Sequence, residues 1–423
     1  MHINDLIKTY GKDLSNCNLE GVRLFGVDIL EYALLSLSYT QESYEDIIYT
    51  DLENIQIPDD KELFQKILYK SLMYVNMPKK DYREYNFKDV VLKSTRFHKD
   101  SILPDDTELF QKIREKSLVN TVLPKGDFSK YNFKDVSLKG TILTPDTFAP
   151  NTKEFLQQIN NKSIRKLKIY SGNYENWDFT GVDIYGAYFG KDVTLPKTED
   201  LFTKVKNASI NSCTFINKDL SNYDFTDVYM SYCIFKNCKF PEYNWVKKLR
   251  YKSLGKCEFE NCDIGGAILD DSNIEGIKID KCSDIQYNIN IFQQIKNKNI
   301  ENATLPIGDY SNHNFNGVKA AYSNFPLDAT LPSQYSLFSD MKTCEYISLT
   351  KNVLNNIHLY DLSNIKLDLR PYKDFLTETQ MYILRMKYKN KIERNELIIW
   401  GDNYAQKIYY YYFDNDFVWS YCW

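Results

Sequence analysis

Residues 116–148 read KSLVNTVLPKGDFSKYNFKDVSLKGTILTPDTF, and a large apolar side chain stands at every fifth position: Leu118, Leu123, Phe128, Phe133, Leu138, Leu143 and Phe148. Helices repeat near 3.6 residues and strands near 2, so a period of five belongs to neither. A chain that turns one side chain inward every five residues changes direction each time. The expected element is a coil with short sides and regular corners.

The frame extends in both directions. Upstream it runs through Leu14, Leu19, Leu24, Ile29 and Leu34, lapses over 36–57, and resumes at Leu72, Met77, Tyr82, Phe87, Leu92, Phe97 and Ile102. Downstream it returns at Ile164, Ile169, Tyr174, Phe179, Ile184, Phe189 and Thr194, and again from Ile210 to Phe240. Sets begin at Leu72, Leu118, Ile164 and Ile210, 46 residues apart. The next begins at Leu254, 44 residues on; the phase is lost near Asp284, returns at Ile300, and degrades through Leu354 and Leu367 to Pro371.

Seven steps of five account for 35 of the 46 residues, and the other eleven read as a short amphipathic helix. Over 105–115, Pro104 and acids open the segment, Leu109, Phe110 and Ile113 share a side, and Lys112 and Arg114 come last. That is the order of a helix start, apolar stripe and basic end. Equivalents occur at DDKELFQKIL, TKEFLQQIN, TEDLFTKVK, NWVKKL and NIFQQIK.

The segments DLSNCNLEGV (13–22), DFSKYNFKDV (127–136) and DLSNYDFTDV (219–228) resemble the pentapeptide-repeat family, whose motif is A-(D/N)-L-x-x, and the resemblance covers about residues 12–370. It implies a right-handed quadrilateral β-helix, mainly β, in which the fifth-position residue and the residue two before it face inward. Val, Thr, Cys, Tyr and Gly replace the family's Ala at that second slot. Two coils of four sides, with a helix as the eighth side, would make one 46-residue unit. Coils about 4.8 Å apart would then space the helices about 9.6 Å apart, within helix-packing distance. The same phase sets Tyr85, Tyr131, Trp177, Tyr223, Ala267 and His313 beneath the helices. Such rings are expected to be buried, against the alternative of an exposed stripe for stacking bases.

Two domains are expected: a solenoid with helical inserts over 1–370, and a distinct segment over 371–423. In the latter, Thr377 to Gln380 is a capping-box pattern opening a helix to about Arg394, and the aromatic run from Leu397 reads as short strands.

Composition narrows function mainly by exclusion. A formal net charge of -4 over 423 residues is nearly balanced, which gives no general electrostatic case for direct nucleic-acid binding. The amino terminus lacks a basic segment followed by an apolar run, and no stretch is long enough to span a bilayer, so no membrane role and a cytoplasmic location are expected. Cys17, Cys213, Cys233, Cys238, Cys257 and Cys262 occupy the small inward slot and read as buried free thiols rather than zinc ligands. His2, His98, His313 and His358 stand in no catalytic or metal motif, and no cofactor is expected.

Two residue sets are candidates for recognition. Asp81, Asp127, Asp219, Asp263 and Asp309, with Asn173 interrupting and Asp13 preceding, occupy one repeat position and form an expected acidic ladder. Such a ladder is either a phosphate-backbone mimic, as the resemblance to gyrase-binding members of the family allows, or a series of local backbone acceptors. Trp400, Tyr404, Tyr410, Tyr412, Phe417, Trp419 and Trp423 are either a cap over the open end of the coil or a partner-binding surface. The expected function is a non-enzymatic scaffold that binds, and by binding inhibits, another protein. The alternative is a nucleic-acid mimic that inhibits a topoisomerase or nuclease, including one encoded by a phage or mobile element against host defence. A nucleic-acid-processing enzyme is the partner class in view, with self-association through the tail as a further expectation.

Overall fold

The structure is a computed structural model, and it describes residues 1–24, 49–242, 244–264, 267–281 and 290–399. The chain divides into two compact units, Met1–Arg250 with Cys262–Gly265, and Tyr251–Asn261 with Gly266–Trp423.

In the first unit the fifth-position side chains face inward. Leu118, Leu123, Phe133 and Leu138 are at most 2% exposed, and Phe128 is 4% exposed. Their backbones pair with neighbouring coils in parallel, by steps of two lengths. Ser71 bridges Val91 and Val122 pairs with Ile142, both by the short step. Arg96 bridges Val122 and Ile142 pairs with Lys168, both by a longer one. Strands Val122–Leu123, Ile142–Leu143, Lys168–Asn173, Tyr188–Thr194, Thr214–Ile216 and Ile234–Lys236 follow one another in this way as a long parallel sheet. Corners between sides hold left-handed residues in register, among them Ser94, Asn120, Gly140 and Lys166. Most of these are not glycine, so the coil tolerates a conformation that L-residues seldom adopt.

Each long step carries a helical turn, and each turn is shorter than the sequence suggested. Leu109–Lys112 is α-helical, Ile113 is already extended, and Arg114–Lys116 forms a 3-10 turn with Glu115 left-handed (φ 58°). The cause is the pull of the neighbouring coil, because the Arg114 amide donates to the Val90 carbonyl (3.0 Å). Leu63–Lys66, Phe155–Gln158, Leu201–Lys204 and Trp245–Lys248 repeat the turn in this unit. Gln111 ties its turn to the next coil, its amide donating to the carbonyls of Asn132 (3.0 Å) and Lys134 (2.8 Å), and Gln65 and Gln157 do likewise.

Beneath the turns lie aromatic residues. Phe110 packs on Tyr131 (5.5 Å between centroids) and Phe133 (4.9 Å), and Phe155 stacks on Trp177 (5.2 Å). Tyr131 is buried, so these rings belong to the core and form no base-stacking stripe.

The seventh position departs from expectation. Ile102 is 49% exposed and Phe148 40%, and Thr194 is also exposed; Leu103, Ala149 and Leu195 face inward instead. One extra residue enters the coil there. Asp81 bridges Ile102, Asp127 pairs with Phe148 and Asn173 pairs with Thr194, in each case just past the short step. The Lys168–Asn173 and Tyr188–Thr194 strands correspondingly slip register between Ile169 and Ser171. Asp219 bridges Lys239 at the short step itself, without the insertion, and Phe240 stays buried.

The amino-terminal helix, Ile3–Tyr10, is closed by a reciprocal His2–Asp5 capping box and buries Ile3 and Leu6. In the second unit, Glu258–Glu260 pairs in parallel with Lys278–Asp280, and helical turns recur at Ile291–Gln294 and Leu337–Asp340. The expected capping box is present at Thr377 and opens Glu378–Lys387, followed by Lys389–Glu393. Gln380 of that helix donates to the carbonyls of Leu354 and Asn355, and Leu367–Asp368 pairs with Leu397–Ile398. The seven tail aromatics from Trp400 to Trp423, and most of 36–57, lie outside the described residues. Cys213, Cys233, Cys238, Cys257, Cys262 and Cys344 are buried and Cys17 is half-buried, all as free thiols. Among the described residues no helix is long and apolar enough to cross a membrane.

Candidate interaction face

One side of every second coil carries the acidic positions. Asp127 follows the corner after Leu123, and its Oδ1 accepts the backbone amide of Ser129 (2.9 Å). The same bond forms from Arg83 to Asp81, Ser221 to Asp219 and Ser311 to Asp309, and from Glu175 to Asn173 (each 2.9 to 3.0 Å). An Asp or Asn here closes an Asx turn, so local backbone chemistry selects the residue type. The accepted hydrogen bonds, first those from the Arg83 and Ser129 side chains, hold the carboxyls of Asp81 and Asp127 below the ordinary range. All five carboxylates are exposed.

The acids do not form an uninterrupted row. On the intervening coils, Ile102 lies beside Asp81 and Phe148 beside Asp127, Thr330 lies beside Asp309 in the second unit, and Lys239 stands between Asp219 and Asp263. Cations also close on the acids of this side: Arg83 on Asp81 (2.5 Å) and Lys125 on Asp100 (2.6 Å). The face is therefore mixed in charge, with two large apolar side chains set among the carboxylates of the first unit.

The five-residue period alone assigns Ile102 and Phe148 to the core. The signal for the opposite assignment is short: Ile102-Leu103-Pro104, Phe148-Ala149-Pro150, Thr194-Leu195-Pro196 and Thr330-Leu331-Pro332 share an apolar or small residue before proline, and that residue faces inward.

No described group elsewhere forms a catalytic constellation. His2 caps the first helix through Nδ1 (3.1 Å from the Asn4 amide), and His98 Nδ1 accepts the Asp100 amide (3.1 Å). In the second unit a polar groove of about 450 Å³ is lined by Glu301, Ser339, Thr343, Cys344, Glu345 and Asn364. Glu301 there accepts the Thr343 hydroxyl (2.7 Å), Glu345 pairs with Lys366 (2.9 Å), and burial pushes the Cys344 thiol up to about 12, away from nucleophilic use. Among the described residues no group of three or more His, Cys, Asp or Glu is placed to hold a metal ion.

No family model matches the chain, and no curated protein matches it. Among solved structures, HetL, a pentapeptide repeat protein involved in heterocyst differentiation regulation from the cyanobacterium Nostoc sp. strain PCC 7120, is similar at 13% identity over 62% of this chain and 76% of that one, with a TM-score of 0.11. A superposition that poor transfers neither fold nor activity.

Proposed function

We propose that the chain is a non-enzymatic binding scaffold whose third side, in the first unit, docks a protein partner. In this reading the coil is a right-handed, four-sided pentapeptide-repeat helix, with a helical turn replacing one side in every second coil. The alternation of short and long steps between paired positions supports that geometry. The observation that carries the functional reading is the exposure of Ile102 (49%) and Phe148 (40%) beside Asp81 and Asp127. Apolar anchors ringed by charged groups are the usual anatomy of a protein interface. The complementary surface is one with apolar pockets and basic rims, as on an enzyme that handles nucleic acid, and occupying such a surface would inhibit it.

The alternative, a nucleic-acid mimic, has the acidic positions in its favour; Arg83, Lys125 and Lys239 among them weigh against a phosphate-like potential. The test is affinity capture from nuclease-treated lysate of the native host, comparing wild type with an Ile102→Glu/Phe148→Glu variant. A stoichiometric protein retained by wild type and lost by the variant is expected. Equal retention by both would remove this face from the account.

A further inference from the structure

Lys70, Lys93, Lys116, Lys139 and Lys162 recur at half the repeat, all in the first unit. Register places them on one side of the coil. Ser71 bridges Val91, Ser117 bridges Ser137 and Ser163 bridges Asp183, so Lys70, Lys116 and Lys162 stand one residue before the paired positions. Lys93 and Lys139 stand two residues after theirs, and the Gly140 amide donating to the Arg165 carbonyl (2.8 Å) aligns Lys139 with Arg165. The result is two rows about three residues, or about 10 Å, apart, with one lysine per coil and coils about 4.8 Å apart. Half-buried Ser117, Ser137 and Ser163 lie on the strip between the rows, whereas Ser71 is buried. Lys166 and Lys168 lengthen the array, and both are exposed.

The acids beside it, Asp89, Glu115, Asp135 and Asp183, are fewer than its cations. Among the described residues Lys70, Lys93, Lys139, Lys162, Lys166 and Lys168 make no ion pair, and Lys116 approaches Asp135 only at 3.9 Å. Asp89 is engaged by Arg114 (3.2 Å), and Asp183 by Arg165 (3.2 Å). The strip also lacks anchors for a protein. Among the described residues the large exposed apolar side chains include only Tyr69 at its border, whereas a protein interface centres on apolar residues.

We propose that this lysine strip binds the phosphate backbone of a nucleic acid without reading its sequence. Repeated cations are suited to phosphate oxygens, and contacts to phosphate position a nucleic acid without carrying sequence information. The near-neutral charge of the whole chain points the other way because it averages over surfaces that the coil keeps apart. The proposal is independent of the Ile102–Phe148 face.

The test is fluorescence anisotropy of the full chain with a labelled DNA duplex, a labelled single strand of unrelated sequence and labelled polyglutamate, at two salt concentrations. Wild type is expected to bind nucleic acid at low salt, with affinity falling as salt rises and a log–log slope that loses about one unit for each phosphate-contacting lysine replaced. Lys93→Glu/Lys139→Glu/Lys162→Glu is expected to lose at least about tenfold in affinity, in line with that dependence. Lys125→Glu/Lys239→Glu, on the other face, is expected to bind as wild type, and circular dichroism checks that both variants are folded. Absence of binding at low salt, equal loss in both variants, or polyglutamate bound as tightly as DNA would overturn the proposal.

Discussion

The Tyr131 hydroxyl donates to the carbonyl of Pro104, 27 residues earlier, at 2.6 Å. Tyr85 meets Pro58 (2.9 Å), Trp177 Nε1 meets Pro150 (2.7 Å) and Tyr223 meets Pro196 (2.6 Å) at the same separation in sequence. These four helical turns are thus anchored at their entrances by a ring from the next coil, and the ring's one polar group is satisfied while its body fills the core. Tyr131→Phe keeps the ring and leaves the Pro104 carbonyl without this donor. It is expected to cost about 1 to 3 kcal/mol in urea denaturation, the range for orphaning a buried polar group.

Phe133 and Phe148 separate the two readings of the five-residue frame. Phe133 is 1% exposed and packs on Phe110 and Phe155, whereas Phe148 is 40% exposed. Phe133→Ala is expected to cost about 3 to 5 kcal/mol. Phe148→Ala is expected to cost no more than about 0.5 kcal/mol, as for a surface substitution. Equal costs in denaturant titrations would return Phe148 to the core.

How far the fold was legible follows from these residues. The inward period, the place of six helical turns and the burial of Tyr131 were all readable, because each repeats with the same residue types at the same spacing, whereas the turn at Leu337–Asp340 was not singled out. The extra residue before Leu103 and Ala149 was not, since Ile102 and Phe148 keep the apolar identity of an inward position while the backbone has moved on by one. Turn length also escaped, because Ile113 is set extended by a hydrogen bond from the following residue to the neighbouring coil rather than by local propensity. The acidic positions were legible as a column with lysines such as Lys125 close by; Ile102, Phe148 and Lys239 between them became visible only through the pairing of alternate coils.

His313 takes the ring position that Tyr131 and Trp177 fill elsewhere. It is buried against Phe292 (5.4 Å) and Tyr310 (5.2 Å), and among the described residues neither ring nitrogen has a partner. Burial holds its pKa below the ordinary value, with the Tyr310 backbone and Asp309 opposing. The folded state therefore disfavours the protonated ring. Its contribution to stability is complete above the unfolded-state value near 6.5 and is lost as pH falls toward the lower folded-state value. Thermal melts from neutral pH to about 5 should show wild type losing stability faster than His313→Tyr; parallel curves would contradict this.

Lys218 fills a small inward slot of the first unit and is 7% exposed. Its ammonium donates to the carbonyls of Gly190 (2.7 Å) and Lys191 (3.2 Å), at the register slip in the coil before it. Burial brings its pKa down to about 8. Below that value both states are protonated and no dependence arises. Between it and the unfolded-state value near 10.4 the unfolded chain holds more protons, so stability rises with pH. Lys218→Met should flatten this rise and, by leaving the two carbonyls unpaired, lower stability near neutral pH by about 1 to 3 kcal/mol.

The most direct test of the binding face is hydroxyl-radical footprinting of the full chain, alone and with the protein retained in affinity capture, read residue by residue by mass spectrometry. The account predicts rapid modification of Phe148 and slow modification of Phe133 in the free chain, with Phe148 protected in the complex and Phe133 unchanged. Phe148 as slow as Phe133 in the free chain, or equally reactive with and without the partner, would contradict it.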